Sequence, residues 1–408
     1  MIFMNNQEIT DRKWMRMALD LAGNGEGRVH PNPLVGAVIV KEDTVIGKGW
    51  HAYCGGLHAE RNALKDCRER GNDPEGATIY VTLEPCCHYG KTPPCTEAII
   101  ESGLSRVVFG AWDPNPVVAG KGIQILRAAG IETEGPVMEA ECLEKNRIFF
   151  HYITEKTPYV IMKYAMTADG KIACVTGDSR WVTAEEAREH THRTRRAVTG
   201  IMVGIHTVLQ DDPMLNCRWK EDPVDPVRIV CDSRLRIPLE SRIVQTAKDV
   251  PVMVAYRKDA ADEEGNGEQR QAAQKAKLLA DLGVELIPVN ADEEGHVDLR
   301  ELMKILGEKK IDSILLEGGG ELNFSALKAG IVSCVQAYIA PKIAGGAGAK
   351  SPVGGAGIQK MADCIRLSQP RVDVYGQDIL LTFDVLPCEA EGARQPGVVK
   401  TDEKIRER

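Results

Sequence analysis

The first 150 residues alternate between helical and strand-like spacings of apolar positions. Trp14, Met17, Ala18 and Leu21 recur at helical spacing and predict a helix over residues 11–21. Short apolar runs predict strands, with periodic helical stretches between them. The predicted strands span 34–40, 45–50, 78–83 and 106–110, and the later helices span 58–70, 96–102 and 123–129. This alternation is typical of an α/β layered domain.

A second unit is predicted to follow a polar stretch that ends in Pro158. We place a boundary there, so that one domain covers residues 1–155 and another covers 156–387. The second unit contains one helix, predicted at 272–282. Its strands are predicted at 159–165, 197–203, 227–231, 252–256, 311–316 and 335–339. The glycine-rich stretch 345–357 is expected to be a flexible connection. Residues 388–408 lack apolar periodicity and are predicted to form a disordered tail.

Composition narrows the class of ligand. The 408 residues are 43% hydrophobic and 27% charged, and the formal net charge is −8. An acidic chain argues against nucleic acid or a membrane as a partner and favours a small molecule. No apolar run reaches membrane-spanning length, and the N-terminus lacks a secretion signal pattern, so we expect a cytoplasmic protein. The 12 cysteines are scattered along the chain, with a cluster at 86, 87 and 95, and this pattern fits reduced thiols better than disulfides.

The strongest chemical signal is His58-Ala59-Glu60 followed by Pro85-Cys86-Cys87-His88 and then Cys95. A catalytic zinc ion takes three protein ligands and leaves a fourth position for a water of lowered pKa. His-x-Glu followed by Pro-Cys is typical of nucleobase deaminases, in which the glutamate is not a ligand. We therefore expect His58, Cys86 and Cys95 to bind zinc and Glu60 to carry protons. Cys87 could compete with Cys86.

A longer loop than usual separates Cys86 from Cys95, because Tyr89 stands where the deaminase pattern places its second cysteine. Its polar or cationic side chains, His88 and Lys91, indicate a loop that contacts substrate.

Several alternatives stay open at this level. A structural zinc knot needs four protein ligands, and Cys87 is available as the fourth. A nucleic-acid deaminase would share the metal centre, but it should carry basic patches with aromatic residues, whereas this acidic chain is 5% aromatic. A third possibility is another zinc-dependent nucleobase deaminase fused to an unrelated NADPH reductase.

Four motifs in a fixed order strengthen one interpretation. They are Pro-Asn-Pro-Leu-Val-Gly-Ala at 31–37, His-Ala-Glu at 58–60, Glu-Pro-Cys-Cys-His with Lys-Thr-Pro-Pro-Cys within 84–95, and Val-Gly-Ile-His-Thr-Val-Leu with Asp-Asp-Pro within 203–213. Their order and fusion resemble the bifunctional deaminase-reductase family of the riboflavin pathway, from residue 11 to residue 383. The resemblance implies an α/β protein with an N-terminal cytidine deaminase-like three-layer domain followed by a dihydrofolate reductase-like α/β domain.

The resemblance also implies two reactions and two cofactors. The first is zinc-dependent hydrolytic deamination of 2,5-diamino-6-(5-phospho-ribosylamino)pyrimidin-4-one. The second is NADPH-dependent reduction of the ribosyl side chain of 5-amino-6-(5-phosphoribosylamino)uracil to ribityl. Relatives assemble through the reductase part, which implies a homo-oligomer.

Positions that match the family's motifs imply the binding residues. The deaminase substrate would meet Asn32, His51, His88 and Lys91. The dinucleotide would meet Ala165, Trp181, Thr207, Asp211, Ser233, Gly319, Gly320, Glu321, Leu322, Asn323, Phe324 and Ser325. The reductase substrate would meet Ser179, Arg195, Leu215, Arg218 and Glu317.

Local chemistry gives these assignments partial support. The run Glu317-Gly318-Gly319-Gly320 follows a predicted strand and opens a helix, so bare backbone amides can face a phosphate. Arg195 and Arg218 offer planar donors for a phosphate group. Taken without the resemblance, both arginines fit solvated surface charges, and Trp181 fits a core residue.

Overall fold

The computed structural model describes residues 5–90, 93–115, 117–219 and 222–387. Two of the sequence predictions, a substrate contact at Lys91 and a disordered tail at 388–408, lie outside these described residues.

Helices and strands alternate along the described residues. The strands are β1 Gly36–Lys41, β2 Thr44–Trp50, β3 Thr78–Val81, β4 Arg106–Phe109, β5 Glu132–Glu134, β6 Tyr159–Thr167, β7 Gly200–Gly204, β8 Val227–Cys231, β9 Val252–Arg257, β10 Val284–Val289, β11 Ser313–Leu316, β12 Val332–Ala340, β13 Arg371–Tyr375 and β14 Asp378–Asp384. The α-helices are α1 Asn6–Ala22, α2 Ala59–Glu69, α3 Cys95–Glu101, α4 Lys121–Ala128, α5 Glu139–Lys145, α6 Arg147–Glu155, α7 Glu185–Ala197, α8 Ile205–Asp211, α9 Arg242–Gln245, α10 Gly267–Asp281, α11 Leu299–Glu308 and α12 Gly320–Lys328.

The first five strands form one sheet in the order β2-β1-β3-β4-β5. A β-carbon at Gly36 would overlap the backbone of Ala18 in α1, and one at Gly49 would overlap the backbone of Ala59 in α2. Gly49 pairs with Ala37, the residue after Gly36. Because successive residues of a strand point to opposite faces, α1 and α2 cover opposite sides of the sheet. This half is a three-layer α/β unit.

The other nine strands form a second sheet in the order β10-β9-β8-β7-β11-β6-β12-β14-β13. The strands from β10 to β12 are parallel, and the β13–β14 hairpin pairs antiparallel with β12. Along β7, Ile201 and Val203 belong to one apolar cluster with Leu279 of α10, whereas Met202 belongs to another with Leu302 of α11. Both faces of this sheet are therefore covered, as parallel sheets require.

Most of the predicted elements are present, with shifted ends. The strand predicted at 227–231 has those bounds, and residues 36–50 form the predicted hairpin. The strand predicted at 197–203 begins at Gly200, because Ala197 is the last residue of α7.

Helix α7 was not predicted, and its composition explains why. Its buried residues are the small side chains Ala187, Thr191 and Thr194, so no large apolar residue marks the face that it buries.

The segment 345–357 differs from the expected flexible connection. The Gly354 amide donates to the Gly320 carbonyl at 3.0 Å, and the Asn323 side chain donates to the Pro352 carbonyl at 2.8 Å. Asp169 accepts from the Gly345 amide at 2.7 Å. These contacts fasten the segment over the start of α12. Glycine is needed there because a β-carbon at residue 320 would press on backbone atoms of the segment.

Among the described helices, none combines the length and the apolar character that crossing a bilayer requires.

Candidate active sites

Three side chains from the first half gather at one point. The His58 Nδ1 atom lies 3.4 Å from both the Cys86 Sγ and the Cys95 Sγ. The possible ligand atoms of these three residues all lie within 4.8 Å of one another. One imidazole and two thiols at this separation suit zinc, which binds nitrogen and sulfur tetrahedrally.

Local structure brings the three residues together. His58 is the N-cap residue of α2, and Cys95 is the first residue of α3. The Thr96 amide donates to the Cys86 carbonyl at 3.2 Å, which holds the Cys86 loop against the start of α3. The Cys95 amide also donates to the Cys86 Sγ at 3.4 Å. A hydrogen bond from the Cys95 thiol, opposed by burial and assisted by His58, lowers the pKa of Cys86, and the same bond raises the pKa of Cys95.

Glu60 lies in the first turn of α2, two residues after His58, and its side chain is only 4% exposed. Burial raises the pKa of Glu60, and the negative charge of Cys86 raises it further. A carboxyl group with a raised pKa is better suited to accept a proton and return it during a reaction.

Cys87 does not join the metal-binding group. Its Sγ points to the Val117 carbonyl at 3.9 Å, and the grouping of possible ligands within the described ranges contains only His58, Cys86 and Cys95. Three protein ligands leave a tetrahedral ion one open position, which is the arrangement of a catalytic rather than a structural site.

Two predicted substrate residues lie beside the metal ligands. The His51 ring is 5.4 Å from the His58 ring, and its Nδ1 lies 3.0 Å from the Leu57 carbonyl. Because a carbonyl only accepts, His51 carries its proton on Nδ1. Its Nε2 therefore accepts from the Asn32 side-chain amide at 3.2 Å. Burial lowers the pKa of His51, which keeps the ring neutral.

The loop between Cys86 and Cys95 is braced by Arg61 of α2. This guanidinium donates to the carbonyls of Pro93 at 3.2 Å and Pro94 at 2.8 Å. The buried Nδ1 of His88 has no hydrogen-bond partner among the residues that the structure describes. An unpaired buried ring nitrogen is unfavourable, so it is a natural contact for a bound ligand.

The predicted dinucleotide residues lie along one edge of the second sheet. Ala165 is near the carboxyl end of β6, and Thr207 and Ser233 follow β7 and β8. Residues 319–325 follow β11, with Gly319 as the N-cap of α12. Since β6, β7, β8 and β11 are neighbouring parallel strands, these residues share the edge at which such sheets bind ligands.

The remaining predicted cofactor residues differ in exposure. Asp211 is the exposed last residue of α8, and Trp181 is 62% exposed and not part of the core. Asn323 is fully buried, and its amide is engaged with the 345–357 segment.

An ion pair joins two of the predicted substrate residues, Arg195 and Glu317, whose side chains are 12% and 15% exposed. Arg195 donates from Nε and Nη2 to the two carboxylate oxygens of Glu317, each at 2.9 Å. Burial alone would raise the pKa of Glu317, but Arg195 and Lys163 lower it to about 2. Arg195 is therefore not a solvated surface charge.

One of the other predicted substrate residues, Arg218, lines a cavity of about 370 Å3. Arg218 is exposed and lines it together with Trp181 and His192. Ser179 lies in the exposed segment before α7, and Leu215 is buried in an apolar cluster.

Sequence reasoning missed two polar residues of this site. Lys163 faces inward from β6, where burial lowers its pKa against the attraction of Glu317. His192 of α7 accepts from the Arg218 amide at 3.2 Å, and burial with the nearby arginines lowers its pKa to about 4. The lysine was hidden in a strand pattern, and the histidine lies on the helix that the hydrophobic pattern did not predict.

The two halves match two family models. Residues 8–111 match the cytidine and deoxycytidylate deaminase zinc-binding region, and residues 158–381 match the RibD C-terminal domain. The fold and the three-ligand centre thus define a zinc-binding deaminase region joined to a reductase-type α/β region, which confirms the predicted fold class.

Related proteins match this chain across both regions. The RibD riboflavin biosynthesis protein of Actinobacillus pleuropneumoniae is 49% identical over 93% of this chain and 96% of its own length, and that of Escherichia coli is 37% identical over 91% and 98%. A Thermotoga maritima structure described as a diaminohydroxyphosphoribosylaminopyrimidine deaminase/5-amino-6-(5-phosphoribosylamino)uracil reductase is 35% identical, with a TM-score of 0.80, and covers 94% of this chain and 100% of that one. Acinetobacter baumannii RibD is 34% identical, with a TM-score of 0.78, over 93% and 100%.

The chain belongs to the RibD family of riboflavin biosynthesis proteins. It is an enzyme with a deaminase and a reductase activity in one chain.

Proposed function

We propose that the chain first deaminates 2,5-diamino-6-(5-phospho-ribosylamino)pyrimidin-4-one and then reduces the ribosyl side chain of the resulting 5-amino-6-(5-phosphoribosylamino)uracil to ribityl with NADPH. The observation that carries this proposal is the group of His58, Cys86 and Cys95 beside the buried carboxyl of Glu60. The similar Thermotoga maritima protein is described with these two activities.

In the first reaction, His58, Cys86 and Cys95 would hold zinc, which would supply an activated water when bound. Glu60 would take a proton from that water, whose oxygen bonds to the ring carbon, and would return the proton to the amino group, which leaves as ammonia when the C–N bond breaks.

We assign the pyrimidine contacts of this reaction to Asn32, His51 and His88, and a phosphate contact to Lys91. The Asn32 side-chain amide contacts His51, whose ring lies beside that of His58. His88 follows Cys86 by two residues, and its buried Nδ1 has no hydrogen-bond partner among the described residues. Lys91 is outside the described residues, so its role rests on sequence alone.

In the second reaction, residues at the carboxyl edge of the second sheet would hold NADPH, which would supply a hydride to the sugar. Backbone amides at the start of α12 are placed for a phosphate, and the edge residues Ala165, Thr207, Asp211 and Ser233 border the dinucleotide. The contacting run is Gly319, Gly320, Glu321, Leu322, Phe324 and Ser325, with the buried Asn323 holding the run through its bond to Pro352 and Trp181 at the exposed side.

The reductase substrate is held from the opposite side by Arg195, Arg218 and Glu317, with Ser179 and Leu215 bordering it. The Arg195–Glu317 pair fixes both groups by two parallel hydrogen bonds, which leaves their remaining donors and acceptors in defined directions.

One experiment tests both reactions. Purified protein is incubated with the diaminopyrimidine phosphate, alone, with NADPH and with NADH, and the products are followed by mass spectrometry. We expect the deaminated product alone in the first arm and the ribityl product with NADPH. Deamination without reduction would favour the alternative, a nucleobase deaminase fused to an unrelated NADPH reductase. Absence of deamination in zinc-loaded protein would contradict the first assignment.

We further propose a homo-oligomer that assembles through the reductase half. The outermost strand, β13, exposes Val372 by 60% and Val374 by 67%. An apolar edge strand is prone to pair with a second copy. Light scattering after size exclusion should give a multiple of the chain mass, which Val374→Lys should reduce. A monomeric wild-type protein would refute this.

We also propose a domain boundary between residues 155 and 156 and a cytoplasmic location. Helix α6 ends at Glu155, and β6 of the second sheet starts at Tyr159. Limited proteolysis should yield fragments that end near this boundary, and cell fractionation should recover the protein with cytosolic markers.

A further inference from the structure

One loop of the first half, residues 26–32, is held by the second half, and we call it the docking loop. Arg196 of α7 donates to the Glu26 carbonyl at 2.6 Å and to the Asp222 carboxylate at 2.7 Å. Arg28 of the docking loop donates to the same carboxylate at 2.9 Å. Asp222 therefore ties α7 and the docking loop together.

The most buried of these contacts is made by His30. Its Nδ1 lies 2.7 Å from the Asp312 carboxylate, and its Nε2 lies 3.0 Å from the Ala197 carbonyl. Both partners are acceptors, so both ring nitrogens carry protons and the ring is an imidazolium. Burial alone would lower the pKa of His30, but the bond and the charge of Asp312 raise it. Asp312 is itself 1% exposed and also accepts from Thr199 at 3.0 Å.

The other end of the docking loop reaches the deaminase site. Asn32, two residues after His30, donates to His51, whose ring packs against the proposed ligand His58. The Cys54 amide donates to the Arg28 carbonyl at 3.0 Å, so the loop that carries His51 is tied to the docking loop as well. Two residues span at most about 7 Å, so the His30 contact fixes the docking loop close to Asn32.

We propose that His30 and Asp312 are positioning residues for deamination: an aspartate of the reductase half fixes the docking loop and thereby sets Asn32 against the pyrimidine. Asp312 lies immediately before β11, far along the chain from every zinc-site residue. The two halves are thus not independent enzymes, since the geometry of the first site depends on a contact with the second. This inference rests on the proposed deaminase function.

The test compares kinetic constants of both reactions in the full chain. His30→Ala should raise the deaminase KM by about tenfold or more, because the amide that meets the substrate loses its fixed place. His30→Gln keeps a donor and should recover part of the loss. Asp312→Asn keeps the shape of the side chain and should act in the same direction. Zinc content and the reductase KM, with its substrate supplied directly, should stay near wild type.

Tyr152→Phe is the matched control. It removes another hydrogen bond between the halves, from the Tyr152 hydroxyl to the Gly307 carbonyl at 2.9 Å, away from the docking loop. It should leave the deaminase KM unchanged. The inference is overturned if His30→Ala and Asp312→Asn keep the wild-type deaminase KM, if they raise the deaminase and reductase KM values by similar factors, or if Tyr152→Phe raises the deaminase KM as much as they do. An inactive wild-type deaminase would instead refute the proposed function.

Discussion

Replacing Glu60 by glutamine isolates proton transfer from metal binding. Glutamine has nearly the same shape and can form hydrogen bonds, but it cannot take up a proton at neutral pH. Glu60 is not among the three grouped ligands, and its side chain is 4% exposed at the first turn of α2. The variant should therefore fold and keep one zinc ion per chain.

The expected loss is large because His51, the imidazole beside the grouped ligand candidates, is a poor substitute base. The His51 Nδ1 proton is held by the Leu57 carbonyl, and its Nε2 faces the Asn32 amide. Burial also lowers the pKa of His51, so it is a poor proton acceptor. General acid–base catalysis contributes about 10²- to 10⁴-fold. We expect kcat to fall by about 10³- to 10⁴-fold, or about 4–5.5 kcal/mol in the barrier.

The assay measures ammonia release by the purified variant, with zinc measured by atomic emission. Cys87→Ser is a suitable control, since its Sγ points to Val117 and not to the ligand group. It should keep zinc and retain kcat within about twofold. A Glu60→Gln variant with full zinc and near wild-type ammonia release would contradict the proton-transfer role. Loss of zinc in that variant would show that Glu60 serves the metal instead.

Three further outcomes follow from other parts of the structure. Arg218→Ala should raise the reductase KM by about tenfold with deamination unchanged, because an exposed guanidinium in the cavity wall is lost; an unchanged KM would remove it from the site. Gly36→Ala should lower the unfolding free energy by about 3 kcal/mol in urea titrations, since its β-carbon would overlap the α1 backbone, whereas Gly267→Ala, with open space, should not. Glu317 has a folded pKa lowered from 4.5 to about 2, so its stabilisation is present above about pH 4.5 and disappears towards pH 2. The stability gap between wild type and Glu317→Gln should thus shrink by an amount on the order of 3 kcal/mol between pH 7 and pH 2, and a constant gap would contradict this.

Local sequence was sufficient to identify the candidate residues of the zinc centre. The His58-Ala59-Glu60 triplet at a predicted helix start places an imidazole before the helix and a carboxyl group in its first turn. Periods of 3.6 and 2 residues were likewise enough for most elements around it, because they depend only on which face of each element is buried.

Only the tertiary structure shows whether Cys86 or Cys87 belongs to the group around His58. Adjacent residues of a loop point in different directions, and only the packing of α3 against the Cys86 carbonyl decides which thiol faces His58.

The polar helix α7 and the pairs that it makes were also out of reach of sequence patterns. Arg195 meets Glu317 across more than a hundred residues, and His30 meets Asp312 across a still longer stretch. Local periodicity does not reveal such contacts, because each requires two side chains that are distant in sequence to be buried next to one another. Sequence by itself therefore indicated the candidate metal ligands and most elements of the first half, whereas helix α7 and the joining of the two halves were decided only when the chain folded.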